Sequence, residues 1–338
     1  MWHIFFLYTK HRSMVNAVYN YRKKSIYYYN VLLVTFASVM TWSCGNDIPE
    51  PDKPSTEVNA NANNNSIAEA GRLEIPKLKN GAGNLFIVKR ALLRDKANET
   101  FVNFCLEYDQ TKFASRWTAF RWDINNTYDS NCGRAGDYAA DPDVPTEYRL
   151  SGYFNGYQRG HMLASEDRQC SASANRQTFY MTNMHPQYGR FNGYDKNGSY
   201  IWVNTEQLVR KLYSNWTKAY NSQDTIYVVK GGTIDDRANI LGYTSCGTKN
   251  NIIVPKYYYM ALLYKSSRSQ THGYKAIALW IEHKEGNTTS GKTIAQKYAI
   301  SIDKLEEKTG IDFFCNLPDY IEKDVESKFN LAAWGWNP

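Results

Sequence analysis

None of the chain's six cysteines stands in CxxC spacing with another, which removes the usual ligand pattern of a structural zinc module. No apolar stretch reaches membrane-spanning length: the run from Val31 to Met40 is about half of the roughly 20 residues a spanning helix needs. There is no internal repeat, and no linker after residue 80 to divide the remainder. Beyond Cys44, the cysteines are Cys105, Cys132, Cys170, Cys246 and Cys315. Outside the cytoplasm that odd set allows at most two disulfides, whose connectivity the spacing does not give. What is abundant is aromatic, with 27 tyrosines and 9 tryptophans; such side chains fill cores and also stack on bases. The formal net charge of +7 suits a polyanionic partner, although a charge of that size is usually only a solvated surface.

The N-terminus has the order of an export signal. Arg22, Lys23 and Lys24 form a basic region, Val31 to Met40 the apolar run, and Thr41-Trp42-Ser43-Cys44 follows. Small residues before a cysteine and a polar tract after it resemble a bacterial lipoprotein signal, with Cys44 as the lipid-bearing first residue. Thr41 stands where such signals usually carry Leu, and Met14 is a second candidate start. A noncleaved anchor or a plain cleaved signal are the alternatives; each takes the domain out of the cytoplasm, and a lipid would be its only membrane contact. The expected divisions are 1–44 as signal, 45–72 as flexible tether and 73–338 as the folded domain. Pro49, Pro51 and Pro54 stiffen the start of the tether, and Asn59 to Ser66 is polar and asparagine-rich, with too few apolar residues to pack.

From Leu85 onward short apolar runs alternate with turns. Leu85–Val88, Val102–Tyr108 and Trp117–Trp122 read as strands, with Val102, Phe104 and Leu106 alternating cleanly. Residues 125–150 read as loop; Tyr138 and Arg149 are its candidates for meeting nucleic acid. A strand is expected to lead into Gln158–Leu163, a polar connection to follow it, in which Asp167 and Arg168 pin the loop, and a short strand to run from Tyr180 to Asn183. Ile226–Lys230, Tyr257–Tyr264 and Ala276–Ile281 read as further strands. Lys304–Thr309 reads as a short helix, with Asp303 as N-cap, Glu306 as its capping-box partner and Gly310 just past its end. Strands interspersed with helices indicate an α+β domain around a central antiparallel sheet flanked by helices.

The chemistry concentrates between Tyr157 and Arg210. A histidine, His161, follows Arg159; amide side chains come next, then a carboxylate, Glu206, and a second arginine, Arg210. A neutral imidazole takes a proton from water near pH 7. A hard divalent cation on oxygen ligands carries charge on a leaving oxygen, and arginine grips phosphate through paired hydrogen bonds. That set suits cleavage of a phosphodiester. Gly160 is expected to let the backbone turn and to leave room for phosphate. Tyr200 to Tyr213 reads as a helix that places Glu206 and Arg210 four apart on one face, close enough to pair and to keep the carboxylate ionised. His185 reads as a loop residue lining the groove.

Gln158-Arg159-Gly160-His161, Thr182-Asn183-Met184, Pro186-Gln187, Phe191-Asn192-Gly193 and Trp202 with Glu206, in that order, resemble the DNA/RNA non-specific endonucleases. These are His-Me finger (ββα-metal) nucleases, related to mitochondrial endonuclease G. Val229-Lys230-Gly231-Gly232, Ile253-Val254-Pro255-Lys256 and Thr309 to Phe314 extend the resemblance, which covers roughly Glu74 to Pro318. It implies an Mg²⁺-dependent enzyme, with Mn²⁺ or Ca²⁺ as substitutes, that cuts DNA and RNA through backbone contacts and leaves 5′-phosphates. In that reading His161 is the general base, and Asn192, 31 positions later, binds the metal directly. Glu206 supports the hydrated ion, Arg159 and Arg210 bind phosphate, and Asn183 supports the histidine. Asn197 competes with Asn192 as ligand, because residues 193–198 look like an insertion relative to the family. Gln158 replaces the family signature's aspartate. Two other readings stay open: a surface nucleic-acid-binding protein of the same fold with impaired catalysis, and a structural surface lipoprotein. The oligomeric state is not legible.

Overall fold

Runs of β-branched and aromatic residues build one large sheet. In the computed structural model the described residues are 59–95, 98–126, 132–193, 199–214, 223–269 and 271–337. The signal reading, Cys44 and Asn197 fall outside them. The chain divides between Ser55 and Thr56, and everything below concerns the unit Thr56–Pro338.

The sheet-forming strands are β1 (Asn84–Leu92), β2 (Thr100–Asp109) and β3 (Ala114–Trp122). Two short strands follow outside that sheet, β4 (Gln158–His161) and β5 (Met184–Gln187). Next come β6 (Thr225–Gly232), a separate hairpin of β7 (Ile240–Cys246) and β8 (Lys249–Pro255), and then β9 (Tyr257–Lys265), β10 (Tyr274–Glu282) and β11 (Ala299–Ile300). The seven-stranded sheet runs in the order β1-β2-β3-β6-β9-β10-β11, and every pairing in it is antiparallel. The helices are α1 (Ala172–Gln177), α2 (Gly189–Asn192), α3 (Ile201–Tyr213), α4 (Thr293–Tyr298), α5 (Ile302–Thr309) and α6 (Asp319–Glu326). This is the α+β architecture expected, with a central antiparallel sheet flanked by helices.

Both faces of the sheet are covered, which is why its strands are buried almost continuously rather than at every second residue. One face carries Phe104, Phe120 and Val228 against Phe191, Ile201, Trp202 and Val209. The other carries Cys105, Val229 and Ala261 against Ile302, Leu305, Phe313, Phe314 and Val325 of the C-terminal segment. The alternation expected along β2 holds for Phe104 and Leu106 but not for Val102, which packs on the opposite face. The register shifts there: Lys89 faces Phe104 and Arg90 faces Val102, so Asn103 forms a bulge. The bulged residue is used. Its backbone and side-chain oxygens both accept from the fully buried guanidinium of Arg168.

Several local expectations change. Tyr180–Asn183 is not a strand; Met181–Asn183 is a 3-10 turn, and the strand begins at Met184. The cap of α5 is Ser301, two residues before Asp303, and its hydroxyl accepts from the Lys304 N–H at 3.2 Å. Glu306 instead accepts from the Phe313 N–H at 2.7 Å. Gly310 closes α5 with φ 67°, as expected. Residues 59–72, assigned to the tether, lie against the body. Polar asparagines hold them there alongside the buried Ala70: Asn61 donates to Asp312 and Glu322, and Asn63 to the Ala70 and Pro76 carbonyls. None of the five cysteines in the described residues is disulfide-bonded.

Candidate active site

β4 and β5 pair antiparallel with Gln158 opposite Gln187 and His161 opposite Met184, and α3 follows them to complete a ββα unit. Gly160 serves packing there. Its φ is not positive, and an added Cβ would lie 2.1 Å from Oε1 and 2.6 Å from Cγ of the buried Gln187. It leaves room for that side chain, not for a phosphate. Asn183 is fully buried and clamps the strand carrying the histidine. Its Oδ1 accepts from the Leu163 N–H at 2.9 Å, its Nδ2 donates to the Leu163 and Thr178 carbonyls at 2.9 and 2.8 Å, and its own carbonyl accepts from Met162 N–H. It supports His161 through the backbone. Trp202 of α3 adds a second clamp, donating from Nε1 to the His161 carbonyl at 3.1 Å.

His161 opens into a cleft of about 660 Å³ that is also lined by Arg134, Tyr138, Tyr153, Arg159, Asn192 and Glu206. Its ring meets Phe179 edge-on at 5.0 Å and Tyr138 at 5.8 Å. Its Nε2 is buried and has no hydrogen-bond partner. Burial, followed by the charges of Arg134, Lys230 and Arg159, pushes its pKa down to about 3, so the imidazole is neutral and able to accept a proton. Arg159 is held between two tyrosine rings, 3.5 Å from the centroid of Tyr138 and 4.0 Å from that of Tyr153. This stacking fixes its planar fork at the cleft wall.

Beneath the cleft lies an ionic cluster that departs from the sequence reading. Glu206 and Arg210 do not pair with each other. Arg210 donates to Asp167 at 2.7 Å and pairs with Glu166 at 2.8 Å, while Lys230 reaches Glu206 at 3.2 Å and Asp167 at 3.5 Å. Asp167 therefore holds two cations. Although burial opposes its charge, Arg210 and Lys230 bring its pKa below the usual range. For Glu206 burial outweighs the attraction of Lys230, and its pKa is raised, the reverse of the expected firm ionisation. Arg210, occupied by two carboxylates, does not line the cleft and anchors the Asp167 turn instead of gripping phosphate.

Asn192 ends α2 and shares the cleft with His161 and Glu206. Gly193 follows in the left-handed region, φ 112°, where a Cβ would lie 2.7 Å from Val203 of α3. Only glycine lets the chain pass that close and still present Asn192 to the cleft. The start of α2 is held by His283, which accepts from the Tyr188 N–H at 2.8 Å. The Asn192 amide has no hydrogen-bond partner among the described residues, and the carboxylate of Glu206 faces the same space. A neutral amide oxygen and one carboxylate fit a small hard cation that keeps most of its water, as Mg²⁺ does.

His185 and Arg149 are not cleft residues. His185 is buried on β5, with Nε2 at 3.0 Å from Ser115 Oγ, and Arg149 donates to the Val144 and Pro142 carbonyls. Residues to which the sequence reading gave no role in the site are Lys230, Arg134, Tyr153 and His283. Lys230 had left a signal: a lysine inside an otherwise apolar strand must be paired. Tyr153 is 74% exposed and lies in a segment with no periodic pattern, so nothing marked it.

Comparison with known proteins identifies the family. The family model described as DNA/RNA non-specific endonuclease matches residues 82–320. A nuclease from Nostoc sp. is 28% identical over 232 residues, covering 67% of this chain and 76% of its own length. The mitochondrial nuclease EXOG of Mus musculus is 24% identical over 225 residues, covering 64% of this chain. The chain spans only 56% of that relative's length. Among solved structures, the EndoG/EndoGI complex matches at 21% identity with a TM-score of 0.49, covering 63% of this chain and 84% of that one.

Proposed function

Because the chain belongs to the DNA/RNA non-specific endonuclease family, we propose that it hydrolyses phosphodiester bonds in both DNA and RNA. The observation that carries this reading is the uncharged, unpartnered Nε2 of His161 in a cleft it shares with Asn192, Glu206 and Arg159. His161 takes a proton from a water as that water's oxygen bonds to phosphorus. The P–O3′ bond breaks, the 3′ oxygen leaves and is protonated by solvent, and the phosphate stays on the 5′ side. Arg159, pinned between Tyr138 and Tyr153, orients the phosphate and offsets charge that builds on its oxygens. Lys230 holds the Glu206 carboxylate in place beside Asn192. An Mg²⁺ bound by Asn192, with Glu206 beyond its waters, would supply positive charge to the phosphate and the leaving oxygen. Contacts to phosphate rather than to base edges account for indifference to sequence and sugar.

Digestion of plasmid DNA and of RNA in Mg²⁺, against the same reactions in EDTA, tests the proposal. Cleavage of both polymers should require the metal, and Asn192→Ala should lower the rate and raise the Mg²⁺ concentration needed for half-maximal activity. A wild-type rate unaffected by EDTA would remove the metal from the reading. Gln158 in the cleft wall, in place of the signature aspartate, favours the alternative of a binding protein with impaired catalysis. Salt-dependent binding of DNA with no cleavage in Mg²⁺ or Mn²⁺ would select it.

The same proposal places the enzyme outside the cytoplasm, carried on a lipid at Cys44. It rests on the basic, apolar and small-residue order before that cysteine. Labelled palmitate should be incorporated by the full chain and not by Cys44→Ala; equal labelling of both would end the lipid reading.

A further inference from the structure

On the face of the sheet away from the cleft, α5 and α6 bring three carboxylates together. Asp303 and Glu306 sit one turn apart on α5, Glu326 ends α6, and one oxygen from each lies within 4.8 Å of the others. Asp303 is exposed and Glu306 half-buried, while Glu326 is only 5% exposed. Glu326 Oε1 is buried without a hydrogen-bond partner. Among the described residues no Lys, Arg or His pairs with any of the three. Neighbouring lysines are engaged elsewhere: Lys304 with Glu307, Lys328 with Asp324, and Lys308 over the Trp280 ring. Two more acids crowd the corner: Asp312 and Glu322 share the amide of Asn61 at 3.1 and 2.9 Å. Burial, then the neighbouring acids, pushes Glu326 up to about 10. Glu306 rises to about 8 through burial, despite its bond from the Phe313 N–H. Without a counter-charge, keeping several carboxylates ionised this close together is costly.

We propose that Asp303, Glu306 and Glu326 hold a hard divalent cation of the calcium class, tying α6 to α5. The donors are all oxygen, and a calcium shell of about six to eight ligands leaves places for water on the open side, where Asp303 lies. The ion would fasten the layer of helices that covers this face of the sheet and take no part in phosphodiester cleavage. The inference does not depend on the hydrolytic reading, because none of its residues lines the cleft.

Calorimetric titration with Ca²⁺ tests it in the wild type and in Asn192→Ala, which lacks the amide expected to hold an ion in the cleft. In both backgrounds Glu326→Gln should reduce the number of calcium ions bound by one. It should also abolish the rise in melting temperature that Ca²⁺ gives over EDTA in Asn192→Ala. Glutamine keeps the shape and removes the charge, so Glu326→Gln should fold in EDTA at least as well as its parent and keep its Mg²⁺-dependent nuclease activity. Calcium stoichiometry unchanged by Glu326→Gln, or no calcium bound by Asn192→Ala, would overturn the site and leave a cluster of acids sharing protons.

Discussion

Replacing His161 with alanine is expected to slow cleavage of both DNA and RNA by about 10²–10⁴-fold, the usual contribution of a positioned general base. The loss should lie in turnover, with binding of nucleic acid in the presence of EDTA unchanged. Stability should fall little or even rise. The ring packs edge-on against Phe179, so its removal costs apolar contact, but it also removes a buried nitrogen that has no partner, itself a burden of about 1–3 kcal/mol. A residue retained for folding alone would show the opposite balance, with a large drop in melting temperature. The pH profile gives a second readout. With the imidazole pKa held near 3 by burial, the free enzyme keeps its base form well below pH 6.5. The profile of kcat/KM at saturating Mg²⁺ should therefore pass through pH 6.5 without a histidine inflection. A wild-type profile that halves there would overturn the lowered pKa of the ring, and a His161→Ala chain that cuts at the parental rate would remove His161 from the role of base.

The second large effect belongs to Lys230. Lys230→Met should destabilise the fold by about 3–5 kcal/mol at pH 8, the range for breaking a buried ion pair from one side. Asp167 keeps Arg210, so the stranded charge is that of Glu206. With its cation gone, the Glu206 pKa rises further above its unfolded value. The stability it contributes is then present below about pH 4.5, the ordinary glutamate range, and is lost as pH climbs through the folded value. The deficit should therefore shrink on acidification and be largest in alkali. Denaturant titrations at pH 5 and pH 8 check the sign. Adding Glu206→Gln to Lys230→Met should restore most of the stability but not the nuclease rate, because glutamine fills the space without the carboxylate beside Asn192. Equal stability of Lys230→Met and wild type at pH 8 would show that the cluster bears no weight.

What the sequence made legible and what it hid follow one physical line. Local rules placed α3 within a residue of its observed start and put the glycine after α5, because periodicity and φ preference act over a few residues. Linear order also placed His161, Asn192 and Glu206 in the segment that forms the cleft. Partnership was misread. Glu206 and Arg210 are four apart on one helix face, yet each found a better partner from elsewhere: Lys230 from the sheet, and Asp167 and Glu166 from the preceding turn. Helical spacing gives proximity, and long-range packing decides who pairs. Gly160 was misread for the same reason, since the space it leaves is filled by Gln187 from the opposing strand. The bulge at Asn103 was invisible because its cause, the buried guanidinium of Arg168, lies 65 residues away.

The asparagine strap has a practical reading for anyone attaching this protein to a bead or a surface. Asn61 and Asn63 are fastened among Asp312, Glu322 and Asn316, and the apolar residues just after them, Ala70 and Ile75, pack into the layer behind the sheet. The far terminus does the reverse: Trp334 and Trp336 pack into the layer that also holds Met162 and Trp202. A load applied at residue 59 is therefore taken up at the rear of the sheet. A tag after residue 337 instead loads the opposite face of the sheet, the one packed by Trp334 and Trp336.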